Sequence, residues 1–170
     1  MGDDMIYWTR LQSEEWPLYI AATDEGLCFV GSVGADLEEL KAWQKKKRPK
    51  AMLVEDDLKL GRYVKELQQY FEGEKQCFEL PIDLQGTSFQ MKVWQALQTI
   101  PFGQASTYGE IAQKIGQPTA VRAVGGAIGA NPVAIVVPCH RVIGKSGSLT
   151  GFRGGLEMKK SLLKLEAISF

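Results

Sequence analysis

Cys139 and His140 are the residues of this 170-residue chain best suited to chemistry. His140 is the only histidine, and it directly follows a cysteine at the end of the run Asn131-Pro132-Val133-Ala134-Ile135-Val136-Val137-Pro138. That run is apolar and β-prone, and its closing proline delivers the cysteine. The thiolate is the nucleophilic form of cysteine, and an unassisted thiol is mostly protonated at neutral pH. An imidazole within hydrogen-bond reach, directly or through water, can take that proton. A carboxylate on the other ring nitrogen would orient the ring and stabilise its charged form. Side chains of sequence neighbours usually point apart, so a buried, inert cysteine beside an incidental histidine stays open as the alternative.

Other chemistry is poorly supported. Three cysteines do not make a disulfide framework, and no Cys-x-x-Cys pair or second histidine provides zinc-ligand spacing, so no metal is expected. Cys28 sits in an apolar run and reads as core, and Cys77 reads as structural and partly exposed. Gly144-Lys145-Ser146 resembles the end of a phosphate-binding loop, but the earlier glycine it requires falls at Cys139. Gly125-x-x-x-Gly129 resembles a membrane dimerisation motif without the apolar 20-mer that motif needs.

The elements that must position the cysteine fall into two halves. In the first, Ile6–Trp8, Pro17–Ala22 and Leu27–Val30 are short β-prone runs. Asp36 caps a helix running toward Lys47, and the basic run from Lys45 to Lys50 reads as a solvated helix end and linker. A second helix is expected over about Glu55–Phe71, with Leu60, Val64, Leu67 and Phe71 at helical spacing. Cys77–Leu80 offers a last strand. Trp8, Trp16, Trp43 and Trp94 read as packing residues. A composition shift at Asp83–Gly86 puts the boundary between domains 1–84 and 85–170.

In the second half, Ser88 caps a helix containing Phe89, Val93, Trp94 and Leu97. Tyr108–Ile115 is a short helix, Gly116-Gln117-Pro118 a turn, and Thr119 caps a helix from Ala120 to Gly129 or Ala130. Two short helices joined by a tight turn make a helix-turn-helix candidate. On the last of them Val121, Val124 and Ile128 share the core face, while Arg122, Gly126 and Gly129 share the opposite one. Interior glycines cost roughly 1 kcal/mol each against alanine. Either close helix packing or close approach to a nucleic acid would explain them, and spacing does not choose.

Charge separates the halves. Residues 1–84 hold 11 Lys+Arg against 17 Asp+Glu, a net of −6, and residues 85–170 hold 9 against 3, a net of +6. A zero total therefore hides a C-terminal half suited to a polyanion, although chance clustering of solvated charges would look the same. Met1-Gly2-Asp3-Asp4 is acidic with no basic region before an apolar core, and no apolar stretch reads as a membrane span, so a cytoplasmic protein is expected.

Pro138-Cys139-His140-Arg141-Val142 resembles the active-site signature of the O6-alkylguanine-DNA alkyltransferases. The likeness continues through Phe102-Gly103 to Tyr108, Arg122 to Ala127, Asn131-Pro132 and Gly154-Gly155-Leu156, in order and at family spacing. It covers most of the second half; the first half matches in length and general αβ character. The resemblance implies an α+β fold, with a small N-terminal αβ domain (a ribonuclease-H-like sheet plus helices) and a C-terminal winged helix-turn-helix-like domain.

For activity it implies transfer of the alkyl group from O6-alkylguanine in double-stranded DNA to the protein itself. O4-alkylthymine would be a lesser substrate. Cys139 would be the acceptor, His140 its base through a bridging water, and Glu166 the partner of His140. Asn131 would brace the turn, and Tyr108 would donate to the departing guanine. Arg122 would fill the stack after nucleotide flipping, on a helix whose Ala123 and Gly126 meet the minor groove. The carbonyls of Cys139 and Val142 would accept from the guanine amino group, and the Arg153 amide would face O6. No cofactor, membrane or obligate protein partner is implied, and a monomer is the simplest state.

Two positions depart from some relatives: Ala134 where they carry proline, and Arg153 where they carry serine. Relatives that bind alkylated DNA without repairing it lack the acceptor cysteine, which is present here. A non-catalytic DNA-binding protein and a cysteine hydrolase built on Cys139, His140 and Glu166 are the rival functions.

Overall fold

The computed structural model describes residues 5–147, 149 and 152–170, so the acidic stretch Met1–Asp4 lies outside the described residues. The chain divides into two compact units, residues 1–84 and 85–170.

The first unit is built on a four-stranded sheet. Strands β1 (Met5–Leu11), β2 (Leu18–Thr23) and β3 (Gly26–Val30) form an antiparallel meander, and β4 (Met52–Glu55) joins β1 in parallel, giving the order β3-β2-β1-β4. Helix α1 (Leu37–Lys47) lies between β3 and β4 in the chain. Asp36 caps it by accepting from the Glu38 amide, and Lys45, Lys46 and Lys47 in its last turn complement the helix dipole. Ile6, Ala21, Cys28, Phe29 and Leu40 form a core against which Trp8, Leu37, Trp43, Ala51 and Leu53 pack. Helix α2 (Gly61–Phe71) buries Tyr63, Leu67 and Tyr70, and Phe71 stacks on Trp16 with centroids 4.4 Å apart.

Sequence and structure differ at three places in this unit. Strand β4 occupies residues placed just ahead of the second expected helix, which begins at Gly61 instead of Glu55. Cys77–Leu80 forms no strand; Ile82 instead makes an isolated bridge to Leu27, whose amide donates to the Pro81 carbonyl at 2.9 Å. Arg48, in the run read as solvated, is buried. Its guanidinium donates to the Asp83 carboxylate and to the Asp83 carbonyl, each at 3.1 Å, and Thr23 Oγ1 donates to the same carboxylate at 2.6 Å. The end of the unit is thereby tied to its sheet.

The second unit is mainly helical. Helix α3 (Ser88–Leu97) is capped by Thr87, not Ser88, in a reciprocal box with Gln90. Helix α4 (Tyr108–Lys114) has the same box from Thr107 and Glu110. Helix α5 (Val121–Gly129) follows Ala120, and Thr119 does not cap it. Trp94 is buried in α3 and its indole N–H donates to the Ala127 carbonyl of α5 at 2.8 Å. Val124, Ala127 and Ile128 face the core, but Val121 is exposed at the start of α5.

Two strands, β5 (Ser106–Thr107) and β6 (Val142–Ile143), pair in parallel, Ser106 opposite Val142 and Thr107 opposite Ile143. This pairing places the chain after Cys139 beside the start of α4. Helix α6 (Leu156–Leu165) closes the unit and packs on the 3-10 turn Cys139–Arg141.

Candidate active site

The run from Val133 to Val137 makes successive buried turns instead of the extended strand its composition suggests. Asn131 explains the difference. Its side-chain amide donates to the Val137 carbonyl at 2.9 Å, and its side-chain oxygen accepts from the Val133 amide at 3.0 Å. The Val137 amide donates to the Val133 carbonyl, so a closed loop replaces a strand ladder. Ile135 sits at φ 74° within it, a costly conformation for a β-branched residue. The 3-10 turn follows, with the Cys139 carbonyl accepting from the Val142 amide. That bond uses one of the two lone pairs of the carbonyl.

Cys139, His140, Arg141, Asn131 and Glu166 are all buried. His140 Nε2 lies 2.7 Å from Glu166 Oε2. A carboxylate only accepts, so Nε2 carries the proton and Nδ1 holds the basic lone pair. Nδ1 is itself buried and has no hydrogen-bond partner among the described residues. Burial pushes the imidazole below its ordinary value of 6.5, against the opposing pull of Glu166. His140 is therefore neutral at rest and able to accept a proton.

Burial pushes the Cys139 thiol up from its ordinary value. The Asn131 side chain, hydrogen-bonded to the sulfur, is the largest opposing influence, followed by the charges of Arg153 and Lys159. A proton acceptor nearby is what such a thiol requires to react near neutrality.

Glu166, the residue that ends α6, also accepts from Arg141 Nε at 2.8 Å, from a terminal Arg141 nitrogen at 3.0 Å and from the Gly103 amide at 3.1 Å. The other terminal nitrogen of Arg141 donates to the Ile100 carbonyl at 2.6 Å, and the Phe102 ring lies 5.8 Å from the guanidinium carbon. The Arg141 charge balances that of Glu166, so the carboxylate stays ionised while buried.

The remaining expected residues lie on different elements. Val142 is buried in β6. Tyr108 opens α4, partly buried, and its ring is 3.9 Å from the point a Gly125 Cβ would occupy. Arg122, Ala123, Gly126 and Gly129 form an exposed face of α5, and Arg153 is exposed ahead of α6. A Cβ on Gly126 or Gly129 would meet nothing within 4 Å. Internal helix packing therefore does not account for these two glycines.

Sequence reasoning passed over two buried basic residues, Arg141 and Lys159. Both had a signal. Arg141 lies inside the Pro138–Val142 motif, and Lys159 precedes Glu166 by seven residues, which is two helical turns.

Fold and site together define a two-unit α+β protein whose helical unit buries a cysteine next in sequence to a histidine that is paired with a carboxylate. Residues 88–168 match the family model described as 6-O-methylguanine DNA methyltransferase, DNA binding domain, and residues 6–84 match the ribonuclease-like domain of the same proteins. The chain belongs to the 6-O-methylguanine DNA methyltransferase family. It is 56% identical over 161 residues to the inducible methylated-DNA–protein-cysteine methyltransferase of Bacillus subtilis, covering 95% of this chain and 90% of the relative. The Haemophilus influenzae methylated-DNA–protein-cysteine methyltransferase is 41% identical, with 97% and 88% covered. Among solved structures, Mycobacterium tuberculosis OGT in complex with DNA superposes with a TM-score of 0.81 at 41% identity, covering 94% of this chain and 92% of that one. The expected α+β fold, with a small ribonuclease-like N-terminal domain and a helical C-terminal one, agrees with these matches. Among the described residues no helix is long and apolar enough to cross a membrane.

Proposed function

We propose that this chain repairs double-stranded DNA by direct reversal, taking the alkyl group of O6-alkylguanine onto Cys139 in one irreversible turnover. The observation that carries this reading is the buried His140–Glu166 pair directly after the buried Cys139, in which His140 keeps a basic Nδ1 while Glu166 fixes its tautomer.

The thiol proton passes to Nδ1 of His140, through a bridging water, and Glu166 stabilises the imidazolium. The sulfur attacks the alkyl carbon, a carbon–sulfur bond forms, and the carbon–O6 bond breaks with its electron pair going to guanine. Tyr108 donates a proton or hydrogen bond to the departing base. The thioether left on Cys139 resists hydrolysis, so one protein repairs one lesion, and neither metal nor diffusible cofactor enters the balance. O4-alkylthymine is a lesser substrate of the same displacement.

A base in a duplex hides its O6 substituent, so the nucleotide must be extruded. The bare face of α5 suits close approach to the minor groove, with Ala123 and Gly126 against the backbone and Arg122 filling the emptied stack. The carbonyls of Cys139 and Val142 and the amide of Arg153 read the extruded base. The protein acts as a cytoplasmic monomer.

Intact-mass and peptide mapping after incubation with a duplex holding one O6-methylguanine tests the reading. One added methyl group on the Cys139 peptide, lost in Cys139→Ala, is the expected result. Binding without an adduct would leave a lesion sensor, and repeated release of an acyl product would favour a cysteine hydrolase.

A further inference from the structure

The loop that delivers Cys139 contains two γ-turns of opposite kind. Across Pro138, the Cys139 amide donates to the Val137 carbonyl at 2.8 Å, and φ −79° with ψ 64° is the common, relaxed form. The proline ring holds φ in that range unaided. Across Ile135, the Val136 amide donates to the Ala134 carbonyl at 2.9 Å, and φ 74° makes this the rare, strained form. Glycine is the usual residue at positive φ, and a β-branched residue there is an outlier. Such a backbone persists only where its surroundings over-determine it.

The surroundings are three nested closures with Ile135 at their tip. Around the γ-turn, the Val137 amide donates to the Val133 carbonyl at 3.0 Å. Around that, the Asn131 side chain accepts from the Val133 amide and donates to the Val137 carbonyl. The Ile135 side chain is itself fully buried, so apolar burial offsets the strain of its backbone. The Val137 carbonyl thus accepts twice, from the Asn131 side chain and from the Cys139 amide. One oxygen joins the brace of the loop to the backbone of the acceptor. Relaxing Ile135 to the extended backbone that isoleucine favours would open the turn and swing this oxygen away from Asn131.

We propose that Ile135 is a positioning residue for alkyl transfer: its positive-φ turn, held shut by its own buried side chain, fixes the Val137 carbonyl to which Asn131 and the Cys139 amide are both bonded. This inference rests on the reading of Cys139 as the alkyl acceptor. Because Asn131 also bonds the sulfur, the same turn sets where the sulfur is held.

The test compares Ile135→Ala with Ile135→Gly. Both delete the packed side chain, but only glycine takes positive φ without penalty. At an ordinary backbone position alanine is the more stable of the two; here Ile135→Gly is expected to unfold at the higher urea concentration. Where both are folded and saturated with a lesion duplex, Ile135→Gly is expected to transfer methyl at least about fivefold faster than Ile135→Ala, with equal duplex affinity. A residue that only packs would give equal transfer rates. Equal rates, or faster transfer by Ile135→Ala, overturn the proposal.

A second measurement uses the native protein without DNA. By NMR, the coupling between the Ile135 amide and Cα protons is expected to report positive φ, and the Val137 amide and Asn131 side-chain protons are expected to exchange slowly with solvent. Negative φ, or fast exchange of those protons, overturns the proposal. Failure of the native protein to accept a methyl group, with these NMR signatures present, would sink the repair reading instead, so the two failures are distinguishable.

Discussion

Glu166 Oε2 stands 2.7 Å from Nε2 of His140, twenty-six residues earlier in the chain, with both side chains fully buried. The same carboxylate is held by Arg141 and by the Gly103 amide. The orientation of the imidazole is therefore set by a carboxylate that cannot itself turn without breaking four contacts.

Glu166→Gln should remove this anchor and leave the Arg141 charge buried without compensation. We expect a loss of about 3–5 kcal/mol of folding stability, measured by urea unfolding, and methyl transfer slowed at least tenfold under conditions where the variant is folded. The double variant Glu166→Gln with Arg141→Met should recover part of the stability but none of the rate. Additive stability losses would contradict the coupling of the two charges.

Gly126→Ala should separate folding from binding. Its Cβ meets nothing within the protein, so the helix should gain about 0.5–1 kcal/mol and melt later. Affinity for duplex DNA should fall several-fold if this face lies against the backbone. Unchanged affinity would mean that α5 docks through another surface.

Arg153 is an exposed cation ahead of α6. Arg153→Ala should lower the slope of log affinity against log salt by about one phosphate contact and weaken all duplexes alike, lesioned or not. A loss confined to lesioned duplex would instead place the side chain in the base pocket.

Titration of His140 should show in stability. Its folded value lies below the ordinary 6.5, so between those two values the unfolded chain binds more protons than the folded one. The stabilisation is complete above about pH 6.5 and is lost as pH falls toward the folded value. In the alkaline range the sign reverses. Burial raises Cys28 from its ordinary 9.0 to about 12, so stability declines as pH rises from 9.0 toward 12. Urea midpoints across pH, compared with His140→Gln and Cys28→Ala, should show each variant flattening its own limb of the curve.

The sequence by itself determined the parts that depend on near neighbours. The cap at Asp36 and the apolar spacing of Leu60 and Leu67 are local interactions, and they fold as their types dictate. The cysteine–histidine pair and the contrast of charge between the halves were equally visible. Tertiary structure decided what local chemistry leaves open. Nothing in the pair says which carboxylate meets His140; the family likeness pointed to Glu166, and the packing of α6 on the Cys139 turn makes the contact. The valine-rich run before Cys139 has strand propensity, yet the Asn131 side chain satisfies its backbone from within and folds it into turns. Arg48 lies in a basic run that composition assigns to solvent, and only its meeting with Asp83, thirty-five residues away, turns it inward. In each case a partner distant in sequence supplies the hydrogen bond or charge that makes burial favourable, and separation along the chain hides that partner until the fold closes.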